Sequence, residues 1–579
     1  MYRTHTCGEL NSSESGNTVT LSGWVVNPKN HGGLIFTYLR DRYGQTQLVF
    51  DSKNNDAFRE ASNLKREDVI TIKGKVVKRP NDMINKDIRT GDIEIHVDEL
   101  NIVTKSAPLP IEIGEHINTS EEMRLQYRYL DLRREDMQDK LKLRHETIKA
   151  AREYFDKNNF LEIETPLLIK STPEGARDYV VPSRVNQGKF YALPQSPQLY
   201  KQILMLSGVD RYYQVAKCLR DEDLRADRQP EHTQFDIEMS FSTSEEIRSM
   251  VEGLYRHIFK KVLGIKLDEF RILCYWEAME KYGTDKPDLR YDLELLDLTD
   301  IAKETDFNIF KQAERVSAIV ALKDYSRKEI DELTETAKKA GAKGLAFVKV
   351  TDEGLDGGIS KFLDEDTQKK IIKRSGSKEG NTIFFSAGKK KQALSVLGEI
   401  RKKIADELNL KDPKKFKFCW VKDFPLFAYN EEEKKWEPEH HMFSMPKEEY
   451  IETFDKNPED VIGDLWDLVL NGMELGSGSI RVSDPRIQER IMKLIGLDKK
   501  EAEKRFGFLL EAYKYGAPQH GGMGLGADRL IALMAGTNDI REVMAFPKNK
   551  AAQCPMDGSP DEIDSKQLDE LGISIKNNK

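Results

Sequence analysis

Three separated stretches of the 579-residue chain carry residue types that can hold a nucleotide. "CLRDEDLRADRQPEHTQFD" (218–236) sets Arg220, Arg225 and Arg228 among Asp221, Glu222, Asp223 and Asp227, ahead of Glu231 and Asp236. "DLWDLVLNGMELGSGSIR" (464–481) supplies Asp467, Glu474 and Arg481; "GGMGLGADRLIALMAG" (521–536) supplies Gly524, Gly526 and Arg529. A planar guanidinium grips phosphate or carboxylate with two hydrogen bonds. Carboxylates can share Mg2+ with substrate phosphates, which suits Asp467 and Glu474. These two lie seven residues apart in the chain. An ideal strand would put them on opposite faces, so a bend or bulge is needed, and Gly472 permits one. Each stretch also has a plainer reading. Charge-rich runs are usually solvated hairpin tips with weak ion pairs, and a "GMGLG" run is more often a packing contact than a phosphate site. No GxxxxGK[ST] run occurs, so a P-loop is not the device.

Several elements must position such residues. The length exceeds one core and predicts three or four domains. Residues 1–104 read as five short strands, "TVTLSGWVV", "LIFTYLRDR", "TQLVFD", "DVITIKGKVV" and "DIEIHVDELNIV". They suit a small closed barrel of the oligonucleotide-binding (OB) type. Residues 105–135 begin with a Pro-containing linker or hinge. From Lys140 to Phe160 the spacing of Leu141, Ile148, Ala151 and Phe155 predicts a helix feeding "FLEIETPLL". Strand-like and Gly-rich segments return in 160–280 and 420–550. Between them lie Lys- and Glu-rich helices, "RKEIDELTETAKKA" and "LSVLGEIRKKIADELNL", around two short strands, "GLAFVKV" and "NTIFFSAG". The expected organisation is therefore one α/β catalytic body, 136–288 plus 419–559, interrupted by an α+β domain over 289–418. The chain turns polar near "CPMDGSP", and 560–579 reads as a loosely packed tail.

The totals narrow the class. A net charge of −8 argues against a general polyanion binder but allows local basic patches. Five scattered cysteines without a CxxC pair suggest neither a disulfide framework nor a zinc site. No apolar run approaches the ~20 residues of a membrane span, and the N-terminus lacks a signal-type apolar stretch. A cytoplasmic protein with no membrane partner is expected.

Taken together, these stretches resemble the class II aminoacyl-tRNA synthetases, and among them the bacterial-type aspartyl enzymes. The 140–160 helix with "FLEIETPLL" is similar to the first signature motif, which forms the dimer interface. "RYYQVAKCLRDEDLRADRQPEHTQFD" resembles the second and "GLGADRLIALMAG" the third. "STPEGARDYVVP", "QSPQLYKQ" and "YGTDKPDLR" resemble stretches of the aspartyl group. The resemblance implies an OB-fold anticodon domain, a class II antiparallel catalytic sheet with helices, and an inserted domain of the GAD type. It implies a homodimer that activates L-aspartate with ATP and Mg2+ and charges tRNA(Asp).

It also implies site roles. Arg220 would hold the α-phosphate, and Arg529 the γ-phosphate and adenine. Asp221, Glu222, Gln229, His232 and the run Gly526, Ala527, Asp528 and Arg529 would complete ATP binding. Asp467 and Glu474 would attend the metal, with Arg220, Arg529 and Glu474 as the catalytic set. Glu174, Gln198 and Asp236 would surround the ammonium of aspartate, with Arg220 also near it. Lys201, His440, His441 and Arg481 would surround its side-chain carboxylate. No side chain need act as a nucleophile: the substrate carboxylate attacks the α-phosphorus and pyrophosphate leaves. Where many relatives have phenylalanine on the adenine, this chain has His232, expected to stack as a neutral ring.

The carboxylate pocket makes physical sense. If asparagine left Arg481 and Lys201 without counter-charge, discrimination would be about 3–5 kcal/mol; one extra methylene, as in glutamate, decides only ~1–3 kcal/mol. In the barrel, Phe36, Gln47 and Glu94 match anticodon-reading positions, by stacking and by hydrogen bonding to base edges. His31 resembles the residue of enzymes that also charge tRNA(Asn), although Asp82 and Met83 stand where a glycine often accompanies it. The readings kept beside this one are relaxed specificity for tRNA(Asp) and tRNA(Asn), an asparaginyl- or lysyl-type enzyme, and a non-catalytic tRNA-binding paralogue.

Overall fold

The structure is a computed structural model describing residues 2–114, 118–172 and 175–576. Glu174 lies outside these residues. The chain forms two compact units, Met1–Lys140 with Cys554–Ser559, and Leu141–Gln553 with Pro560–Lys579.

The first unit is built on a closed five-stranded barrel: Thr18–Asn30, Leu34–Asp41, Gly44–Asp51, Val69–Lys78 and Ile93–Thr104. All five predicted strands are present. Alternation decides which residues fill the barrel. Ile35, Thr37 and Leu39 are buried, while Phe36, Tyr38 and Arg40 lie on the outer face. The strand Val69–Lys78 closes the barrel through a register shift at Lys73/Gly74. A methyl at Gly74 would sit 2.4 Å from His96 O, so only glycine fits. The polar stretch near "CPMDGSP" is not loose throughout. Cys554 is buried, and Cys554–Ser559 closes a turn within this unit.

The second unit is organised by an eight-stranded sheet. In spatial order its strands are Arg271–Cys274, Phe418–Lys422, Leu465–Leu470, Met473–Ile480, His520–Gly526, Glu231–Ser240, Arg211–Leu219 and Leu161–Glu162. All neighbours pair antiparallel except the outermost pair at each edge. The helix expected over 140–160 runs Glu135–Lys157. It stops where Asn159 takes φ 61°. Its buried residues are Met137, Thr147, Ala150, Ala151 and Phe155, with Leu141 and Ile148 only half-buried. Of "FLEIETPLL" only Leu161–Glu162 joins the sheet, and Leu161, Leu167 and Leu168 are exposed.

The insertion holds five strands rather than two: Leu296–Asp297, Arg315–Ala321, Thr382–Gly388, Ala346–Thr351 and Gly354–Asp356. Arg315–Ala321 is an interior strand, covered on both faces. It therefore has no apolar–polar alternation to betray it. The insertion's core is its own only in part: Ala318, Val348, Ile383 and Phe385 pack among insertion residues alone. Leu394, Leu397, Ile400 and Ile404 of the helix Lys390–Glu407 share one apolar cluster with Tyr275, Met279 and Tyr282 of the body.

Candidate active site

The strand Glu231–Ser240 presents His232, Gln234, Asp236 and Glu238 on one face, since side chains alternate along a strand. His232, Gln234 and Asp236 line a cavity of about 690 Å3, together with Arg220, Arg481 and Arg529. That volume suits a small-molecule site. The adjacent strand His520–Gly526 sets Gly526, Gly524 and Gly522 opposite Gln234, Asp236 and Glu238. A methyl on Gly522 would lie 2.1 Å from Glu238 Oε2. The glycine run therefore makes room for the polar row, which is the packing role its sequence also allowed.

At one end of the cavity two cations and two carboxylates interlock. Lys201 Nζ donates to Asp236 Oδ1 at 2.8 Å and lies 3.3 Å from Glu238 Oε2. Arg481 Nε and Nη2 donate to the two oxygens of Glu238 at 2.8 and 3.2 Å. Arg481 Nη1 donates to Ser479 Oγ and to His441 Nε2, both at 2.6 Å. All four charged groups are buried. Although burial pushes the Glu238 carboxyl up, Arg481 and Lys201 hold it below its ordinary range. The expectation of uncompensated cations here is corrected: Glu238 and Asp236 already balance them. Asp236 Oδ2 and Gln198 Nε2 are buried and have no partner among the described residues. Both residues line the cavity.

His440 and His441 also line it. Burial, with Lys286 opposing protonation, pushes His440 down to about 4 despite the Glu474 carboxylate nearby; its ring hydrogen-bonds Ser477 Oγ at 2.7 Å. His441 is driven well below its usual range by burial and Arg481. Both are neutral at pH 7.

The cavity also holds the two carboxylates of a hairpin, Asp467 and Glu474. Leu465–Leu470 and Met473–Ile480 are joined by Asn471-Gly472, with φ 53° and 84°. Asn-Gly with positive φ at both positions is the two-residue turn that matches strand twist. Asp467 and Glu474 thus come from paired strands, not one bent strand, with a bulge at Leu468/Val469. Glu474 pairs with Lys286 at 2.7 Å. Asp467 Oδ1 is buried without a hydrogen-bond partner among the described residues. Burial and the neighbouring Glu474 charge raise the Asp467 carboxyl well above its ordinary range. Among the described residues no cluster of three metal-type ligands occurs. A cation here would draw its remaining ligands from a substrate, as Mg2+ commonly does.

Residues 220–230 form the loop between paired strands, and Arg220, Glu222, Asp227, Arg228 and Gln229 line the cavity. Asp227 and Arg228 therefore belong to its wall, not to a solvated hairpin tip. Arg529 donates to Glu474 O at 2.9 Å and to Asp227 Oδ2 at 3.1 Å, which aims it across the mouth of the loop. Gln229 spends its amide on the Lys548 backbone, accepting from N and donating to O. Asp528 ties the second and third motifs to the long helix, accepting from Thr233 N at 2.7 Å and Arg144 Nη1 at 2.5 Å. Asp221 and Ala527 are not in the wall. Asp221 faces exposed Arg177, and the Ala527 methyl is fully buried at the start of the helix Ala527–Met534. Burial and the charges of Arg220, Arg529 and Lys217 bring His232 down to about 3, so the ring is neutral as expected.

Sequence reasoning missed Glu238 and the cavity-lining Lys286, Gln195 and Ser477. Glu238 had a usable signal, the period-two row ending in Asp236. Lys286 had none beyond its place in "YGTDKPDLR".

On the barrel, Phe36, Gln47 and Glu94 all lie on the outer face. Gln47 Nε2 donates to Glu94 Oε2 at 3.0 Å. Exposed His31 meets Phe36 edge-on at 5.8 Å between ring centres.

Comparison with known proteins agrees with this geometry. Residues 120–550 match the family "tRNA synthetases class II (D, K and N)", and 19–103 match "OB-fold nucleic acid binding domain". The chain is 52% identical over 587 residues to the aspartate–tRNA(Asp/Asn) ligase of Treponema denticola, covering 100% of this chain and 99% of that one. It is 48% identical to the aspartate–tRNA ligase of Ruminiclostridium cellulolyticum, covering 99% and 98%. The asparaginyl-tRNA synthetase of Pyrococcus horikoshii, solved with asparaginyl-adenylate, shares the fold with TM-score 0.60 at 19% identity, covering 94% of this chain and 98% of that one. No helix among the described residues is long and apolar enough to cross a membrane. With its second and third motifs folded around one cavity and matches spanning nearly its full length, the chain belongs to the class II tRNA synthetases of the D, K and N group.

Proposed function

We propose that the chain is an aspartate–tRNA ligase. The α-carboxylate of L-aspartate attacks the α-phosphorus of ATP, the bond to the β-phosphate breaks, and pyrophosphate leaves. The terminal ribose hydroxyl of tRNA(Asp) then attacks the aspartyl carbonyl and AMP departs. The observation that carries the reading is that Arg220, Arg481 and Arg529, distant in sequence, line a single cavity.

In this reading Arg220 and Arg529 grip phosphates, His232 stacks on adenine, and the charge on the transferring phosphorus is stabilised by preoriented cations. The carboxylates of Asp467 and Glu474 would hold Mg2+; the raised Asp467 carboxyl and its unpartnered oxygen fit a site that gains from a cation. Mg2+ when bound supplies charge neutralisation on the phosphates. Asp236 Oδ2 and Gln198 Nε2, both without partners, suit the ammonium and carboxylate of the amino acid.

Selection of aspartate over asparagine works differently from a bare positive pocket. Arg481 and Lys201 offer only N–H donors. The amide NH2 of asparagine would meet a donor, and one such buried mismatch costs about 1–3 kcal/mol.

Residues 1–104 are proposed as the anticodon module, 136–288 with 419–559 as the catalytic body, and 289–418 as the insertion. A homodimer would cover exposed Leu161, Leu167 and Leu168, and the proposed compartment is the cytoplasm. A second reading, charging of tRNA(Asn) as well, is favoured by exposed His31 beside Phe36 and by the Treponema relative, named an aspartate–tRNA(Asp/Asn) ligase. Transfer of labelled aspartate to purified tRNA(Asp) and tRNA(Asn) tests both. Charging of tRNA(Asp) alone supports the first, charging of both the second, and charging of neither contradicts each.

A further inference from the structure

We infer that Arg401, in the inserted domain, is a positioning residue for the nucleotide half of the cavity, holding residues 283–293 so that Lys286 meets Glu474. The inference rests on the proposed nucleotide site. Arg401 is 1% exposed and lies on the helix Lys390–Glu407. Its guanidinium reaches the stretch 283–293, where the catalytic body passes into the insertion. Nε donates to Leu293 O at 2.8 Å, Nη1 to Tyr291 OH at 3.1 Å, and Nη2 to Asp288 O and Tyr291 O, both at 3.0 Å. It also lies 4.1 Å from the Tyr291 ring centre and 4.9 Å from that of Tyr282. A planar cation between aromatic rings, with its donors on backbone carbonyls, fixes a loop in a way lysine cannot.

Both ends of the loop are pinned by this one helix. At the near end, a methyl on Gly398 would sit 2.3 Å from Gly283 O, so the two backbones touch. At the far end Leu293 is held at φ 98°, a conformation side-chain-bearing residues rarely adopt, with its carbonyl on Arg401. Between the pins, Asp285 and Lys286 face the cavity, and Lys286 Nζ lies 2.7 Å from Glu474 Oε2. Such strain persists only where surrounding contacts over-determine it. The insertion thus supplies no wall residue of its own here; it sets the place of a cation beside the nucleotide carboxylates.

The test is a double-mutant cycle on ATP binding. Equilibrium dialysis with ATP and Mg2+, without aspartate or tRNA, is run on the full chain, Arg401→Lys, Lys286→Met and the double variant. Losing one hydrogen bond to a charged group costs roughly 10- to 100-fold in affinity, so each single change should weaken ATP binding by about that much. The double variant should be no weaker than Lys286→Met, and KM for aspartate should be unchanged in Arg401→Lys. Should Arg401→Lys not fold, Tyr291→Phe, which removes one acceptor of Arg401, takes its place in the cycle. Additive effects, or loss of aspartate and ATP binding together, overturn the inference. Failure of the unmodified chain to bind ATP at all overturns the proposed function as well.

Discussion

Arg481 and Glu238, 243 residues apart in the chain, meet as a fully buried two-point ion pair, with Lys201 3.3 Å from the same carboxylate. Removing the acid leaves two buried cations sharing Asp236 alone. Glu238→Gln should therefore destabilise the second unit by about 3–5 kcal/mol, measured by urea unfolding at pH 7. The sign with pH follows from the lowered carboxyl. Its stabilisation is present above the unfolded value of about 4.3 and is lost as pH falls through the folded one. The gap between the two proteins should close below about pH 4.

Asp467 predicts the reverse. Its folded carboxyl is raised by burial and by Glu474, so between the unfolded and folded values the native state binds the extra proton. Stability then falls as pH rises through that window. Asp467→Asn should be more stable than the unmodified chain at pH 7, with the advantage vanishing near pH 3, while aspartate-dependent pyrophosphate exchange drops. Loss of stability at pH 7 in this variant would reject the assignment.

His232 is neutral across the working range. ATP affinity in His232→Phe should match the unmodified chain, and neither should change between pH 5.5 and 8 through this residue. His232→Ala should lose about 1–3 kcal/mol of nucleotide binding, the worth of one stacked base. KM for ATP in pyrophosphate exchange reads both.

Phe36 on the barrel's outer face should act on tRNA alone. Phe36→Ala is expected to weaken tRNA binding by about 1–3 kcal/mol while leaving aspartate and ATP exchange untouched. A parallel loss of exchange would show that the barrel change disturbs folding.

What could be read before folding depended on locality. The barrel strands were visible because one face of each is buried and the other wet, as in Leu34–Asp41. Arg315–Ala321, covered on both faces, had no such rhythm. The hairpin of Asp467 and Glu474 is announced by the dipeptide Asn471-Gly472, both at positive φ, more strongly than by Gly472 alone. Arg220, Arg481 and Arg529 were identified by type and by family resemblance. Their counter-charges were not, because the partnership of Glu238 with Arg481 spans most of the catalytic body and leaves no mark on either local stretch. Asp221 and Ala527 show the converse: neighbours of cavity residues in sequence, they place their side chains outside its wall.

The most direct test of the whole account is pyrophosphate exchange into ATP with purified protein, Mg2+ and one amino acid at a time. Exchange is expected with aspartate, little with asparagine and none with lysine, and it should be lost in Arg481→Gln. Exchange driven by lysine or asparagine in preference to aspartate, or by no amino acid, would contradict it.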